Sequence, residues 1–155
     1  MNAITPLYLD DLEVGQRFSS GSVRVEETAI KAFAAEFDPQ PFHLDEAAAR
    51  ASVLGGLAAS GWHTAVLTMR LLVDGGAPIA GGVVGAGGEI AWPRPTRPGD
   101  VLTVESEVLA VTPSRSRPDR GMVTLRTTTL NQHGEAVQIL TAKLVVPRRP
   151  SGVQP

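Results

Sequence analysis

A chain of 155 residues, 43% of them apolar, is long enough for one domain with its own core, and a net charge of −2 gives no electrostatic reason to expect nucleic acid or a membrane surface as a partner. With no cysteine, disulfides, thiolate metal sites and a cysteine nucleophile are excluded. The first residues, Met1 to Phe18, carry neither a basic stretch nor an apolar one, and Arg70 and Asp74 interrupt the longest apolar run, so a cytoplasmic protein without a membrane span is expected.

Residues 16–25 read as a first strand. From Glu26 to Phe37 the apolar residues Ile30, Phe33, Ala34 and Phe37 recur at helical spacing, which predicts an amphipathic helix. It ends before Asp38, because Pro39 disfavours helical angles in the residue that precedes it. Asp45 is placed to cap a short helix over Glu46 to Ala51. After the Gly55-Gly56 turn, Ser60 is placed to cap a longer helix from Gly61 to Asp74, closed by Gly75-Gly76. Trp62, Ala65, Val66, Leu67, Met69, Leu71, Leu72 and Val73 leave it little polar face, and a helix apolar nearly all round is expected to be buried.

The run from Gly81 to Gly88 lacks the Lys-Ser/Thr of a phosphate-binding loop and reads as a flexible approach to a strand. Beyond Gly88 the period becomes two, and Val101 to Ala110, Met122 to Leu130 and Ala136 to Val146 read as strands. Pro113 to Arg120 is a basic loop, Asn131 to Gly134 a hairpin turn, and Pro147 to Pro155 a frayed tail. A helical first half and a stranded second half give the α+β class, with an antiparallel sheet wrapped round one buried helix.

The chemistry concentrates in Asp38-Pro39-Gln40-Pro41-Phe42-His43, where an acid and an imidazole stand five residues apart on a loop stiffened by two prolines. Ser60-Gly61 then opens the long helix, whose first N–H groups have no intrahelical partner and lie in the positive end of the helix dipole. An acid, a base and a backbone N–H able to hold a developing oxyanion suit water chemistry on an activated carbonyl. The competing structural roles are that Asp38 ends a helix, His43 packs in a turn, and Gly61 permits close helix packing. Ser60 fits an N-cap better than a catalytic hydroxyl, and His63 fits a core or pocket-lining histidine. His133 is expected to be exposed in its turn. Histidines at 43, 63 and 133 show no metal-ligand spacing, so no metal is expected, and no G-x-S-x-G elbow marks a serine nucleophile.

Asp38-Pro39-Gln40-Pro41-Phe42-His43 resembles the D-x-N-P-x-H signature of the MaoC-like (R)-specific enoyl-CoA hydratases, which have the hotdog fold. Gly55 to Gly61 resembles the segment that enters that family's central helix, and Trp92 to Asp100 resembles its W-x-x-P-x-x-P-G-D block. The three blocks keep family order across residues 7–147. Gln40 stands where Asn is usual, Phe37 where Gly is usual, and Ser60 where many relatives have His. The resemblance implies a single hotdog domain over 1–155, with a core over 7–147 and a tail over 148–155. It implies reversible hydration of a trans-2-enoyl thioester to a 3-hydroxyacyl thioester, with Asp38 and His43 acting together as general base and acid. Gly61 would be the oxyanion donor, and Gln40, Ser60, Trp62 and His63 would border the substrate. The implied partners are an acyl-CoA or acyl-carrier-protein substrate and a second copy of the chain, as a homodimer able to assemble further, with no cofactor. Arg94, Arg97, Arg115, Arg117 and Arg120 are candidates for the coenzyme A phosphates. The alternatives are a hotdog acyl-CoA thioesterase and a non-catalytic acyl-thioester-binding module. The presence of both Asp38 and His43 favours hydration.

Overall fold

The computed structural model describes residues 3–151. A short 3₁₀ turn, Leu9–Asp11, leads into β1 (Arg17–Arg24). Four helices follow: α1 (Glu27–Phe37), α2 (Pro41–Leu44), α3 (Glu46–Arg50) and α4 (Gly61–Gly75). The chain then runs through β2 (Val84–Ala91), β3 (Val101–Pro113), β4 (Arg120–Leu130) and β5 (Ala136–Pro147). All five strands form one antiparallel sheet in the order β1-β3-β4-β5-β2. β1 and β2 lie at opposite edges, so the helical segment joining them crosses a whole sheet face. α4 makes that crossing, packed on β1, β3 and β5. This is the sheet round a helix that the sequence leads one to expect.

Period-two burial fixes which strand residues look at α4. Leu102, Val104, Ser106 and Val108 of β3 are buried, as are Val123, Leu125, Thr127 and Thr129 of β4. One apolar cluster gathers Val25, Ile30, Leu71, Leu102 and Val104, and a second gathers Leu9, Leu12, Val108, Val123 and Leu144. Along β3 the two are separated by Ser106, whose hydroxyl lies 3.0 Å from that of Thr127. Two more buried hydroxyl pairs join the helix to its surroundings: Thr64 donates to Thr96 at 2.9 Å, and Thr68 lies 2.6 Å from Thr129. Buried hydroxyls are tolerated because each finds a partner.

The structure departs from expectation in four places. β2 begins at Val84, inside the glycine run that reads as a flexible approach. Backbone pairing with β5 makes it a strand, and a Cβ at Gly88 would collide with the Thr141 carbonyl oxygen. Glycines have no side chains to show an alternating pattern, so the strand is invisible to hydropathy. α4 is not buried all round: His63, Thr64, Thr68, Leu71 and Leu72 face inward, while Trp62, Val66, Met69 and Val73 are 60%, 50%, 43% and 67% exposed. A single sheet covers only one side of a helix. Residues 41–44 form a helical turn rather than a loop, with Pro41 at its first position, where the missing N–H costs nothing. The start of the expected tail is anchored: Pro147 ends β5, the Arg148 N–H donates to the Asp119 carbonyl, and the Arg149 guanidinium pairs with Asp11 at 2.7 Å. Among the described residues no helix is long and apolar enough to cross a membrane.

The hydroxyl band has a testable energetic signature. Thr68 donates to the Thr64 carbonyl at 2.9 Å, so Thr129 must be the donor in the Thr68–Thr129 pair. Thr68→Val strands that buried donor and is expected to cost about 1–3 kcal/mol in urea unfolding. Thr68→Val combined with Thr129→Val is expected to recover most of that loss. A double variant as unstable as the sum of the singles would contradict the pairing.

Candidate active site

The end of α1 delivers the acid. The Asp38 N–H closes the helix on the Ala34 carbonyl at 2.9 Å, and its backbone then leaves helical angles, as Pro39 requires. α2 delivers the base. The His43 N–H donates to the Gln40 carbonyl at 3.0 Å, and the ring is buried edge-on to Phe42. His43 Nδ1 lies 2.7 Å from the Ala58 carbonyl oxygen. A carbonyl only accepts, so Nδ1 carries a proton and Nε2 is the nitrogen turned to the acid. Nε2 stands 3.3 Å from Asp38 Oδ2.

Asp38 is surrounded by donors. The Ser60 hydroxyl donates to Oδ2 at 2.6 Å and Gln40 Nε2 donates to Oδ1 at 2.6 Å. The Ser60 bond is the largest influence holding the Asp38 carboxyl below its ordinary range. Burial opposes it, and the Gln40 bond adds to it, as does the charge of His43 whenever its imidazole is protonated. Asp38 is therefore a settled carboxylate, and Ser60 has two tasks. It also accepts from the Trp62 N–H at 3.3 Å and so caps α4, the role its position suggests.

A cavity of about 380 Å³ opens over these groups, lined by Asp38, His43, Gly61, Trp62, Trp92 and Thr96 among others. The N–H of Gly61, the first residue of α4, has no hydrogen-bond partner among the described residues and borders the cavity. A glycine at a helix start can leave room beside its N–H for a ligand to come close. The structure fills that space with protein: a Cβ there would lie 2.7 Å from Cε2 of Trp92. The Trp92 ring is held in turn by its Nε1 donating to Gln138 at 3.0 Å and by Trp62 edge-on at a ring distance of 5.3 Å.

Six of the seven residues singled out from sequence come together at this cavity: Asp38, His43, Gly61, Gln40, Ser60 and Trp62. Gln40 uses its amide on Asp38. His63 does not join them. Its ring stacks on Phe33 at 4.7 Å, Nδ1 is buried without a partner, and burial lowers its pKa, so it is a neutral packing residue. Trp92, Thr64 and Thr96 border the cavity without having been named for it. Trp92 stands in a recognisable motif block, but no spacing rule shows that its ring covers Gly61. Of the arginines, Arg94 borders the cavity and pairs with Glu135 at 2.9 Å, Arg120 pairs with Asp119, and Arg115 and Arg117 are exposed. The Arg97 guanidinium, expected at phosphates, donates instead to the backbone carbonyls of Leu54, Gly56 and Leu57.

Known proteins resemble this chain in sequence and fold. A family model described as FAS1-like, dehydratase domain region, matches residues 13–140. The Bacillus subtilis protein YdeM is 33% identical over 141 residues, 89% of this chain and 96% of that protein. The crystal structure of the MaoC-like dehydratase from Rhodospirillum rubrum is similar at a TM-score of 0.92 and 68% identity, over 93% of this chain and 99% of that one. The (R)-hydratase from A. caviae involved in PHA biosynthesis is similar at a TM-score of 0.64 and 30% identity, over 89% and 98% of the two chains.

The donor set around Asp38 predicts its titration. A carboxyl held low in the folded state contributes stability above its unfolded pKa, and that stability is lost as pH falls through the folded pKa. Ser60→Ala removes the largest lowering influence, so the Asp38 carboxyl is expected to titrate at higher pH, read by carbon NMR. The lost cap is expected to cost about 1 kcal/mol at neutral pH as well. An Asp38 titration unmoved by Ser60→Ala would contradict the bond.

Proposed function

From a chain that belongs to the FAS1-like dehydratase family, and with it to the MaoC-like hotdog hydratases and dehydratases, we propose a hydratase that adds water reversibly to a trans-2-enoyl thioester, giving the 3-hydroxyacyl thioester. The observation that carries this reading is His43 Nε2 facing Asp38 Oδ2 at 3.3 Å on one wall of a cavity that a free helix N–H also borders.

One water bound at both groups has its oxygen turned towards Cβ of the substrate. Asp38 is a weak base because its donors hold it ionised, so His43 Nε2 takes the proton as the C–O bond forms. The resulting imidazolium is stabilised by the carboxylate beside it. The electron pair of the C=C bond moves onto the thioester, whose oxygen gains charge against the Gly61 N–H. A donor so placed is typically worth about 3 kcal/mol of transition-state stabilisation. The imidazolium then returns its proton to Cα. One water is consumed, its hydroxyl at Cβ and its hydrogen at Cα, and neither metal nor cofactor enters. The substrate is a coenzyme A or acyl-carrier-protein thioester.

A homodimer belongs to the same proposal. The outer face of α4 (Trp62, Val66, Met69, Val73) is apolar and exposed, and it meets Trp92 just beyond the edge strand β2. A second copy pairing along β2 would cover both the open edge and the apolar stripe, and it would place the cavity mouth near the interface.

Crotonyl-CoA tests the reaction through loss of the enoyl-thioester absorbance, followed beside free-thiol release. The first without the second is expected. Asp38→Asn and His43→Ala are each expected to lower kcat by roughly 10²–10⁴, and together little more than the worse one alone. Thiol release would mean a thioesterase, and either single variant with near-normal turnover would remove the pair from the mechanism.

A further inference from the structure

We propose that Arg97 is a positioning residue for His43, acting through the loop that carries the Ala58 carbonyl; only the kinetic arm of the test rests on the hydratase reading.

The proton on Nδ1 is fixed by one acceptor, the Ala58 carbonyl at 2.7 Å. That acceptor lies in residues 51–60, which have turns and bends but no regular secondary structure. A loop carbonyl can fix a tautomer only if the loop is itself fixed. The bond from the Ala58 N–H to the Phe42 carbonyl is long, at 3.4 Å, and the Ala59 N–H donates to the Thr96 carbonyl at 2.9 Å.

Leu57, Ala58 and Ala59 are buried, and Arg97 supplies the polar restraint on the carbonyls that precede Ala58. Nη1 donates to the Gly56 carbonyl at 2.8 Å and to that of Leu57 at 3.3 Å, while Nη2 donates to Leu54. The flat guanidinium thus holds three carbonyls just upstream of Ala58, a pattern that a lysine ammonium cannot reproduce. The approach is close enough that a Cβ at Gly56 would lie 3.2 Å from Nη1. Arg97 is anchored in turn: its N–H donates to Asp100 Oδ2 at 2.8 Å, and Asp100 Oδ1 accepts from Gln132 Nε2 at 3.0 Å. Gln132 Oε1 accepts from the Val101 N–H at 3.0 Å. Hydrogen bonds therefore run from the β4–β5 turn through Asp100, Arg97 and the 54–58 loop to the imidazole.

Losing the fork frees Ala58, and the ring loses the acceptor that fixes its proton on Nδ1. Misplacing a reacting group by about 1 Å can cost about 10²-fold in rate. Substrate contacts are untouched, so the loss falls on kcat and spares KM.

The test reads the imidazole directly. In the wild-type protein the His43 Nδ1 proton is expected as a slowly exchanging downfield NMR resonance, assigned by its absence in His43→Ala. In Arg97→Ala and Arg97→Lys that resonance is expected to vanish or exchange faster, while the rest of the amide spectrum stays native. Free guanidinium ion added to Arg97→Ala is expected to restore it. Gly56→Ala, which crowds the fork but keeps the charge, is the milder second variant and is expected to weaken the same resonance. With crotonyl-CoA, Arg97→Lys is expected to lose kcat by roughly 10²-fold at unchanged KM. An unchanged Nδ1 resonance in folded Arg97 variants would overturn the proposal, even with a lowered melting temperature. If the wild-type chain fails to hydrate crotonyl-CoA, the hydratase reading falls, and the resonance still decides the role of Arg97.

Discussion

The Asp38 carboxylate ties the end of α1 to the start of α4. Its bond to Ser60 spans 22 residues of chain, and its other oxygen holds Gln40. Because Ser60 also caps α4, the same hydroxyl sets where the helix begins and keeps the acid ionised. The position of the Gly61 N–H relative to the Asp38–His43 pair follows from this link. Without it, the helix terminus and the acid would be parts of separate elements with no common reference.

The fold provides the frame for that link. A helix packed across the face of one sheet buries one side, and the hydroxyl pairs under it are directional where apolar contacts are not. Thr64 and Thr96 serve both the packing and the cavity wall, joining α4 to the segment that leads into β3. Trp92 closes the frame at the edge strand, over a glycine that must lack a Cβ for the ring to fit. The site is thus built from the ends of elements whose middles are fixed by core packing. Such an arrangement holds polar groups at hydrogen-bond distances without a ligand in place.

Where side chains carry a pattern, the sequence was readable. α1, α4 and strands β3 to β5 follow from periodicity, and the caps at Asp45 and Ser60 follow from residue type before a helix. β2 was hidden because glycines carry no hydropathy. The exposed side of α4 is not legible in the sequence, because apolar periodicity cannot say how many sides of a helix the chain covers. His63 reads from its position as a core or pocket-lining histidine, and the resemblance alone sets it beside the substrate. The two residues from Gly61 to His63 turn a helix by about 200°, so the ring points elsewhere, onto Phe33. The bond from Ser60 to Asp38 and the Arg97 fork both join residues far apart in the chain, and no local rule contains them.

The central claim is that one pair of groups on one wall of the cavity both takes the water's proton and returns one to the neighbouring carbon. Hydration of crotonyl-CoA in D₂O, with the product's C2–C3 relative configuration read by proton NMR, tests it most directly. Delivery of hydroxyl and deuteron from a single pair predicts syn addition. Anti addition would require a second proton donor on the opposite wall and would contradict the account.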